Sequence, residues 1–307
     1  MSSILEEFVD DLECMGFTFH TIESYKSNVK YFLEFYPDLD ADISDLRKFL
    51  RHLRARELSN KTISAYFSSI SAFYDFLVFE KRVVVNPVLV FRRRYLRKKE
   101  QYGGENTRQL ISVENMKLLI NSTEVPVRTM MLFLAKTGLR RGELIAMDLE
   151  DLDLETGEFW IKPKVKRTNR LGFMDPELIA AMKEYLEWRM VILSVCRPAE
   201  ISAAWEDRNP LWVNSNGKRI NRNYVYYSIV EYAGKLGLHD PQGTLNKKLT
   251  PHCFRHFFTT HLRRAGMPRE FIQELRGDRR KDAIDIYDHI DPEELRLAYL
   301  RYIPKLL

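Results

Sequence analysis

Two imidazoles and a guanidinium share one helical face near the C-terminal end of the sequence. His252, Arg255 and His256 stand at positions i, i+3 and i+4, and side chains at this spacing lie on the same side of an α-helix. A guanidinium binds a phosphate through paired hydrogen bonds, and an imidazole beside it can transfer a proton. Zinc binding is the alternative, but the zinc motif with this spacing has Glu directly after the first His, where this sequence has Cys253.

A second guanidinium, that of Arg140, follows a glycine turn in the segment Thr137-Gly138-Leu139-Arg140. Glu143 lies three residues after Arg140, on the same predicted helical face. A carboxylate at this position can hold the guanidinium in one orientation, which favours bidentate binding of a phosphate. Taken alone, the two residues are also compatible with an ordinary surface ion pair.

The candidate nucleophile is the hydroxyl of Tyr287, nine residues after Asp278. A side-chain hydroxyl can cleave a phosphodiester when cations bind the non-bridging oxygens and a proton donor serves the departing oxygen. Such chemistry needs no metal ion. The alternative is a packing role, because Tyr287 also belongs to a helical stripe with Ala283, Ile286 and Ile290.

Two clusters of basic residues could neutralise the phosphates of a nucleic acid. The first has six cations within eight residues: Arg92, Arg93, Arg94, Arg97, Lys98 and Lys99. The second surrounds a predicted β hairpin: Lys162, Lys164, Lys166, Arg167 and Arg170. A solvated face or a linker is the alternative for such runs. The net charge of +5 and the pI of about 8.9 agree with a nucleic-acid partner without requiring one.

The elements that position these residues are mostly helical. Over residues 1–97, apolar side chains recur at helical spacing, which predicts a bundle of four helices, the last of them capped by Asn60. Polar residues and two adjacent glycines over 98–111 predict a linker. Residues 112–307 are predicted to form a larger domain of helices with two strands, at 158–163 and 170–174, that meet in a hairpin. The sequence therefore predicts a mainly α chain with two domains.

The set of Arg140, a hairpin lysine, His252, Arg255 and Tyr287 resembles the tyrosine recombinases, also called phage-type integrases, in order, spacing and context. The resemblance covers most of the chain. It implies that the first domain is a SAM-like helical domain that binds core DNA, and that the second is a mixed α/β catalytic domain with a small antiparallel β hairpin or sheet. The implied function is site-specific cleavage and rejoining of DNA strands without metal or ATP.

The resemblance also assigns roles to individual residues. Arg140 stands in the family motif T-G-x-R-x-x-E and Arg255 in H-x-x-R-H, and both would grip the scissile phosphate. Tyr287 would attack the phosphorus and form a 3′-phosphotyrosyl link, while His252 would accept or donate a proton around that step.

A hairpin lysine is the family's usual general acid for the departing 5′ oxygen, and we assign this role to Lys166. It lies four residues before Arg170, in a string that is similar to that of archaeal members. Lys164 takes the role if the register of the hairpin shifts by two residues. The lysine that does not take it, and Arg167 beside it, are predicted to contact the DNA backbone.

One position departs from the family's pattern. Many members have Leu-Gly-His ending nine residues before the tyrosine, whereas this sequence has Arg276-Gly277-Asp278. A carboxylate repels a phosphate unless cations neutralise it, and three arginines are near in sequence. We therefore expect Asp278 to orient an arginine or Tyr287 instead of donating a proton. The Arg-Gly-Asp form also resembles archaeal integrases, which predicts an archaeal or archaeal-virus source.

The resemblance implies double-stranded DNA as the partner and a homotetramer on two DNA sites, joined through an apolar C-terminal helix that begins near residues 291–294. Packing of that helix on its own domain is the alternative. No run approaches the roughly 18 apolar residues of a membrane span. Three separated cysteines outside any CxxC spacing predict reduced thiols and a cytoplasmic protein. No metal or other cofactor is expected.

Two other functions stay open from the sequence. A DNA-binding protein of the same fold with impaired catalysis is compatible with the carboxylate at Asp278. A nuclease or another metalloenzyme would use His252 and His256. The three functions differ in whether a covalent adduct of protein and DNA forms without a divalent metal.

Overall fold

The chain divides into two compact units, Met1–Tyr102 and Gly103–Leu307. The computed structural model describes residues 2–96, 109–162, 169–196, 209–278 and 290–307. These residues are mostly helical with one small sheet, which confirms the predicted fold class. The predicted linker at 98–111 falls largely outside the described residues, so its bounds stay a prediction.

The described part of the first unit is a bundle of five helices, one more than the sequence predicted. They are α1 (Ser2–Cys14), α2 (Phe19–Phe35), α3 (Ile43–Ala55), α4 (Asn60–Phe79) and α5 (Pro87–Tyr95). Their apolar stripes meet in a core of aromatic rings, in which Phe32, Phe49 and Phe67 are fully buried. The rings of Phe32 and Phe49 pack edge to face with centroids 5.1 Å apart.

The starts of α4 and α5 are set by short polar side chains. The Ser59 hydroxyl accepts a hydrogen bond from the Thr62 amide at 3.1 Å, so Ser59 caps α4 and the prediction of Asn60 is wrong by one residue. In α5, the Asn86 side chain caps the helix and Pro87 occupies its first turn, where no amide partner is needed. The fifth helix carries the first basic cluster's Arg92, Arg93 and Arg94.

Helix α4 is the one helix of the described residues whose length and composition would allow it to cross a membrane. Half of its apolar window is buried inside the protein. Its residues Ile63, Phe67 and Ile70 lie in the core of the bundle. The apolar character of α4 is accounted for by this packing.

The described part of the second unit is larger and surrounds a separate core. Its helices are α6 (Val113–Asn121), α7 (Val127–Thr137), α8 (Arg141–Ala146), α9 (Pro176–Val195), α10 (Arg222–Lys235), α11 (Pro251–Ala265), α12 (Arg269–Arg276) and α13 (Pro292–Tyr302). Helix α7 runs through the middle of this core, since Met130 to Ala135 are all buried. The site described below lies where α7, α8, α11 and α12 end or begin.

A small antiparallel sheet lies against the helices of the second unit. Its strands are β1 (Leu152–Asp153), β2 (Glu158–Ile161) and β3 (Arg170–Phe173), in the order β1-β2-β3. Glu158 pairs with Phe173 and Ile161 with Arg170. The pairing of β2 and β3 agrees with the predicted hairpin, while β1 is too short to leave a periodic signal in the sequence.

The C-terminal segment packs on its own unit, which is the alternative that the sequence left open. Leu295 and Tyr299 of α13 lie in a buried cluster with Phe173 and Phe258. Beyond α13, Leu306 is fully buried.

A buried lysine holds this segment in place. Lys136 forms ion pairs with Asp175 and Glu177 and donates to the carbonyl of Pro304 at 3.1 Å. Glu177 in turn accepts the amide of Leu306 at 3.0 Å. The end of the chain is thus tied to α7 and to the start of α9.

Candidate active site

Arg255 is directed into the second unit by the packing of α11. Phe254, Phe257 and Phe258 bury one side of this helix. Arg255 itself is only 2% exposed. Its Nη1 donates to the carbonyl of Gly138 at 2.7 Å, and its Nη2 donates to the carbonyl of Arg276 at 2.9 Å. The guanidinium therefore joins the end of α7 to the end of α12.

The contact at Gly138 depends on the absence of a side chain there. Gly138 ends α7 in the left-handed conformation, with φ of 61°. A Cβ at this position would lie 2.4 Å from Cδ1 of Phe258. The missing Cβ lets α7 approach α11 closely enough for the Gly138 carbonyl to accept from Arg255.

Arg140 lies just before α8 and is held by Glu143. The backbone amide of Arg140 donates to Oε2 of Glu143 at 2.8 Å, and its Nη1 donates to Oε1 at 3.1 Å. The predicted contact between these two residues is therefore present. Arg140 is the N-cap residue of α8 and not a helical residue, so the carboxylate reaches back from the first turn to meet it.

Asp278 brings the two arginines together. Its Oδ1 accepts from Nη2 of Arg140 at 2.9 Å and from Nη2 of Arg255 at 2.8 Å. Its Oδ2 lies 3.1 Å from Nη1 of Arg276. Arginines from distant parts of the sequence thus converge on one carboxylate oxygen, and the same donors have the geometry to bind a phosphate oxygen.

Gly277 lets the chain turn from α12 into Asp278. It ends α12 with a φ of 57°, in the left-handed region. The amide of Asp278 then donates to the carbonyl of Gln273 at 3.1 Å. This turn directs the carboxylate of Asp278 towards the two guanidinium groups.

The electrostatics of the site favour an anion. Burial lowers the pKa of the Arg255 guanidinium to about 10, and the positive charges of Arg140 and Arg276 add to this effect against the attraction of Asp278 and Glu143. Arg255 remains charged at neutral pH. Together with Arg170, which pairs with Glu143, four guanidinium groups face two carboxylates, which leaves a net positive charge.

The ion pair between Arg170 and Glu143 was not predicted from the sequence, where Arg170 was grouped with basic residues that could neutralise phosphates. Arg170 is buried, and its Nη2 lies 2.9 Å from Oε2 of Glu143. The two-residue period of a strand puts Arg170 on the same face as Gly172, which the structure buries. That period does not identify Glu143 as the partner of Arg170.

Lys162 of the second cluster also has carboxylate partners. Its Nζ lies 2.8 Å from both Glu150 and Asp151. The hydrogen bonds that Lys162 donates to Asp151 and Glu150 raise the pKa of its ammonium group. Lys162 and Arg170, which the sequence placed in the second basic cluster, therefore both have carboxylate partners in the structure.

The two histidines of α11 are exposed, in contrast to Arg255. The rings of His252 and His256 meet edge to face with centroids 5.3 Å apart. Among the residues that the structure describes, no group of three His, Cys, Asp or Glu side chains is placed to hold a metal ion. The described part of the chain thus offers no third ligand for zinc at this pair.

Several predicted site residues lie outside the described residues. They are Lys164, Lys166, Arg167 and Tyr287 of the catalytic unit, and Arg97, Lys98 and Lys99 of the first basic cluster. Of the remaining basic cluster on α5, Arg93 and Arg94 are exposed, while Arg92 donates to the hydroxyl of Ser68 at 2.9 Å. The roles predicted for all these residues stay predictions.

Comparison with known proteins defines the class to which this fold and arginine pair belong. Residues 104–294 match the model of the phage integrase family, and residues 5–81 match that of the phage integrase N-terminal SAM-like domain. Because the family match spans more than half of the sequence, the chain belongs to the phage integrase family and is a tyrosine recombinase. The resemblance seen in the sequence is confirmed.

Similar proteins span nearly the whole chain. Tyrosine recombinase XerD of Staphylococcus epidermidis is 26% identical over 99% of this chain and 100% of its own length. Tyrosine recombinase XerC of Pelotomaculum thermopropionicum is 26% identical over 93% of this chain and 92% of its own. Both relatives are bacterial, and the archaeal source expected from the sequence stays a prediction.

Solved structures share the fold. The Tn1549 transposon integrase in complex with transposon right end DNA has a TM-score of 0.69, with 19% identity over 95% of this chain and 96% of that chain. A lambda integrase dimer bound to a COC' core site has a TM-score of 0.65, with 16% identity over 95% of this chain and 99% of that chain.

Proposed function

We propose that this chain cleaves and rejoins double-stranded DNA at specific sites through a 3′-phosphotyrosyl intermediate, without metal or ATP. The observation that supports this most directly is the convergence of Arg140 and Arg255 on a single oxygen of Asp278, at 2.9 and 2.8 Å. Two guanidinium groups arranged in this way can stabilise the charge that develops on the non-bridging oxygens of a phosphate under attack.

In the proposed reaction, the Tyr287 phenol attacks the phosphorus while Arg140 and Arg255 hold the phosphate. The bond from phosphorus to the tyrosine oxygen forms as the bond to the 5′ oxygen breaks. The phenol gives its proton to a base, for which His252 is the candidate, and the departing 5′ oxygen takes one from Lys166 or, in the other register, Lys164. Attack by a 5′-hydroxyl on the phosphotyrosine then rejoins a strand and releases the tyrosine.

Asp278 is proposed to orient the arginine pair. Its carboxylate is neutralised by Arg140, Arg255 and Arg276, so it need not repel a phosphate in the way an isolated carboxylate would. In this proposal Asp278 donates no proton, so a proton that the family's histidine could supply at this position comes from another group.

The proposed partner is double-stranded DNA, because the phosphodiester that this site fits is that of a nucleic acid. The Tn1549 and lambda integrases with the same fold are described in complex with DNA. The exposed Arg93 and Arg94 of α5 are candidates for backbone contacts in the first unit. The proposed location of the chain is the cytoplasm.

The proposed assembly on two DNA sites is a homotetramer. The side chains of Leu297 and Leu300 on α13 stay exposed while Leu295 and Tyr299 pack on the chain's own unit. Contacts between copies through α13 therefore require either this exposed face or the release of the helix.

Capture of the covalent intermediate tests this proposal. The chain is incubated with fragments of its host's genomic DNA in EDTA and denatured in detergent, and the DNA that remains attached is sequenced. The proposal predicts an adduct at defined sites that is lost in Tyr287→Phe and retained in the control Tyr227→Phe, whose side chain is exposed on α10. Specific binding without an adduct would support the catalytically impaired DNA-binding protein instead. Cleavage that requires a divalent metal would support a nuclease.

A further inference from the structure

We infer that Arg170 is a positioning residue for strand cleavage: it fixes the orientation of Arg140 and the position of the turn that carries Asp278. The inference rests on the function proposed above. Arg170 begins β3, the strand that returns from the predicted hairpin tip, and it acts through other residues instead of touching DNA.

The guanidinium of Arg170 bridges two elements of the site. Its Nη1 and Nη2 donate to Oε1 and Oε2 of Glu143 at 3.3 and 2.9 Å, which is a paired, fork-like contact. Its Nε donates to the carbonyl of Leu275, in the last turn of α12, at 3.2 Å. One side chain thus ties the sheet to the start of α8 and to the end of α12.

Both contacts lead to the catalytic arginines. Glu143 holds Arg140 through the backbone amide and through Nη1. The carbonyl of Arg276, the residue after Leu275, accepts from Nη2 of Arg255 at 2.9 Å. Displacement of Arg170 would therefore disturb both guanidinium groups that bind the phosphate.

The turn after α12 is shaped to admit the Arg170 side chain. A Cβ on Gly277 would lie 2.6 Å from Nη1 of Arg170, 2.8 Å from its Cδ and 2.9 Å from its Cζ. Any other residue at position 277 would collide with Arg170. The fit links Arg170 to the conformation of the residue directly before Asp278.

The contacts of Arg170 separate positioning from DNA binding. Its side chain is 4% exposed, and its Nε, Nη1 and Nη2 donate to the Leu275 carbonyl and to Glu143. Arg140 and Arg255, in contrast, each direct Nη2 to the same oxygen of Asp278. Substitution of Arg170 is therefore expected to slow the chemical step while the affinity for DNA stays the same.

The charge of Arg170 also keeps Glu143 ionised. Burial raises the pKa of Glu143, but hydrogen bonding and charge from Arg170, followed by those from Arg140, reverse this effect and lower the pKa to about 2. Without Arg170, Glu143 would still form its ion pair with Arg140, and its charge would still act on Arg255. The carboxylate would lose the paired hydrogen bonds from the β3 side, which now fix its position opposite Arg140.

The experiment compares Arg170→Gln and Arg170→Lys with the matched control Arg189→Lys. Arg189, on α9, is similarly buried at 4%, and its Nε and Nη2 donate to the carbonyl of Pro210. The readouts are the single-turnover rate of adduct formation on a nicked site captured as above, the Kd for that site, and the thermal stability of each variant.

The inference predicts a cleavage rate lower by about 10- to 100-fold in Arg170→Gln, since a displacement of about 1 Å can cost this much. The Kd for DNA should stay within about twofold, because Arg170 has no phosphate contact to lose. The cleavage rate of Arg170→Lys should lie between those of Arg170→Gln and the wild type, since lysine keeps the charge but cannot make the paired hydrogen bonds of a guanidinium. Arg189→Lys should lower thermal stability and leave the rate unchanged.

The pH dependence of the cleavage rate distinguishes a positioning role of Arg170 from a purely structural one, because loss of stability alone would not change it. Wild-type Glu143 stays ionised throughout an assay between about pH 5.5 and 8, because its pKa is about 2. In Arg170→Gln the pKa rises, so the cleavage rate should fall more steeply towards the acid end than in the wild type. The control Arg189→Lys should show the wild-type profile.

A wild-type rate in Arg170→Gln would overturn the inference, as would a loss of DNA affinity in proportion to the loss of rate. If Arg170→Gln does not fold, the same comparison of cleavage rate and DNA affinity is made with Arg170→Lys. Absence of the adduct in the wild type is a different result, because it refutes the proposed function itself.

Discussion

Substitution of Gly138 by alanine should disturb the packing that positions Arg255. The new methyl group would start 2.4 Å from Cδ1 of Phe258, and the residue would have to keep a φ of 61°. Phe258 is itself buried and packs in the cluster with α13, so its ring has little room to move. Either the ring or the end of α7 must shift.

Two effects set the expected size of the change. A left-handed conformation costs a residue with a Cβ roughly 1–2 kcal/mol, and overpacking of a close-packed core costs roughly 1–3 kcal/mol. Gly138→Ala should therefore lower the free energy of unfolding by about 2–5 kcal/mol. Since about 1 kcal/mol corresponds to about 2–4 °C in a domain of 150–250 residues, Tm should fall by roughly 4–20 °C.

The control is Gly142→Ala in α8. Among the described residues, no atom apart from the neighbouring residues and the backbone of α8 lies within 4 Å of a Cβ at that position. Alanine there should therefore be neutral or stabilise the chain by about 0.5–1 kcal/mol. The assay is thermal unfolding followed by circular dichroism, together with the rate of adduct formation below the Tm of each variant. Because the Gly138 carbonyl accepts from Arg255 at 2.7 Å, the rate should fall as well.

Equal stability of Gly138→Ala and Gly142→Ala would contradict this prediction. It would mean that α7 and α11 are not in the close contact on which the position of Arg255 depends. If Gly138→Ala loses stability but forms the adduct at the wild-type rate, α7 and α11 are in close contact as described. The position of Arg255 then does not depend on that contact.

Three further outcomes are expected. Asp278→Asn should slow adduct formation because a neutral amide holds the arginine pair less firmly, and an unchanged rate would contradict the orienting role. Glu143 has a folded pKa of about 2, below its ordinary value of 4.5, so its ionised form should stabilise the chain by about 3 kcal/mol above pH 4.5. That contribution should be lost as the pH falls from about 4.5 to 2 and should be missing in Glu143→Gln, which urea unfolding across this range measures. Lys136→Met should destabilise the chain by about 3–5 kcal/mol because Asp175 and Glu177 lose their cation, whereas Lys48→Met at an exposed ion pair should change it by less than about 1 kcal/mol. Limited proteolysis that cuts the C-terminal segment equally in both lysine variants would contradict the role of Lys136 in holding it.

Helical periodicity predicted the elements that have long apolar stripes. The buried faces of α4 and α11 follow directly from the spacing of Ile63, Phe67 and Ile70 and of Phe254, Phe257 and Phe258. Helix α5 was missed because it has nine residues, three of them arginines, and its end lies next to polar residues. Strand β1 has two residues, too few for any period to show.

Contacts between residues close in the sequence were predictable, whereas contacts between residues far apart in the sequence were less so. Glu143 beside Arg140 follows from a spacing of three residues. The meeting of Arg140, Arg255 and Asp278 spans up to 138 positions, and only the family resemblance brought these residues together in advance. The contacts of Arg170 were not foreseen, because nothing in the sequence near residue 170 shows that Glu143 and the end of α12 come to meet it.

The most direct measurement of the central claim identifies the amino acid that becomes joined to DNA. After cleavage of a captured site in EDTA, nuclease and protease digestion leave a nucleotide on one peptide, which mass spectrometry can locate. We expect a 3′-linked nucleotide on Tyr287 and a free 5′-hydroxyl on the released strand. A nucleotide on another residue, or a 5′ linkage, would contradict it.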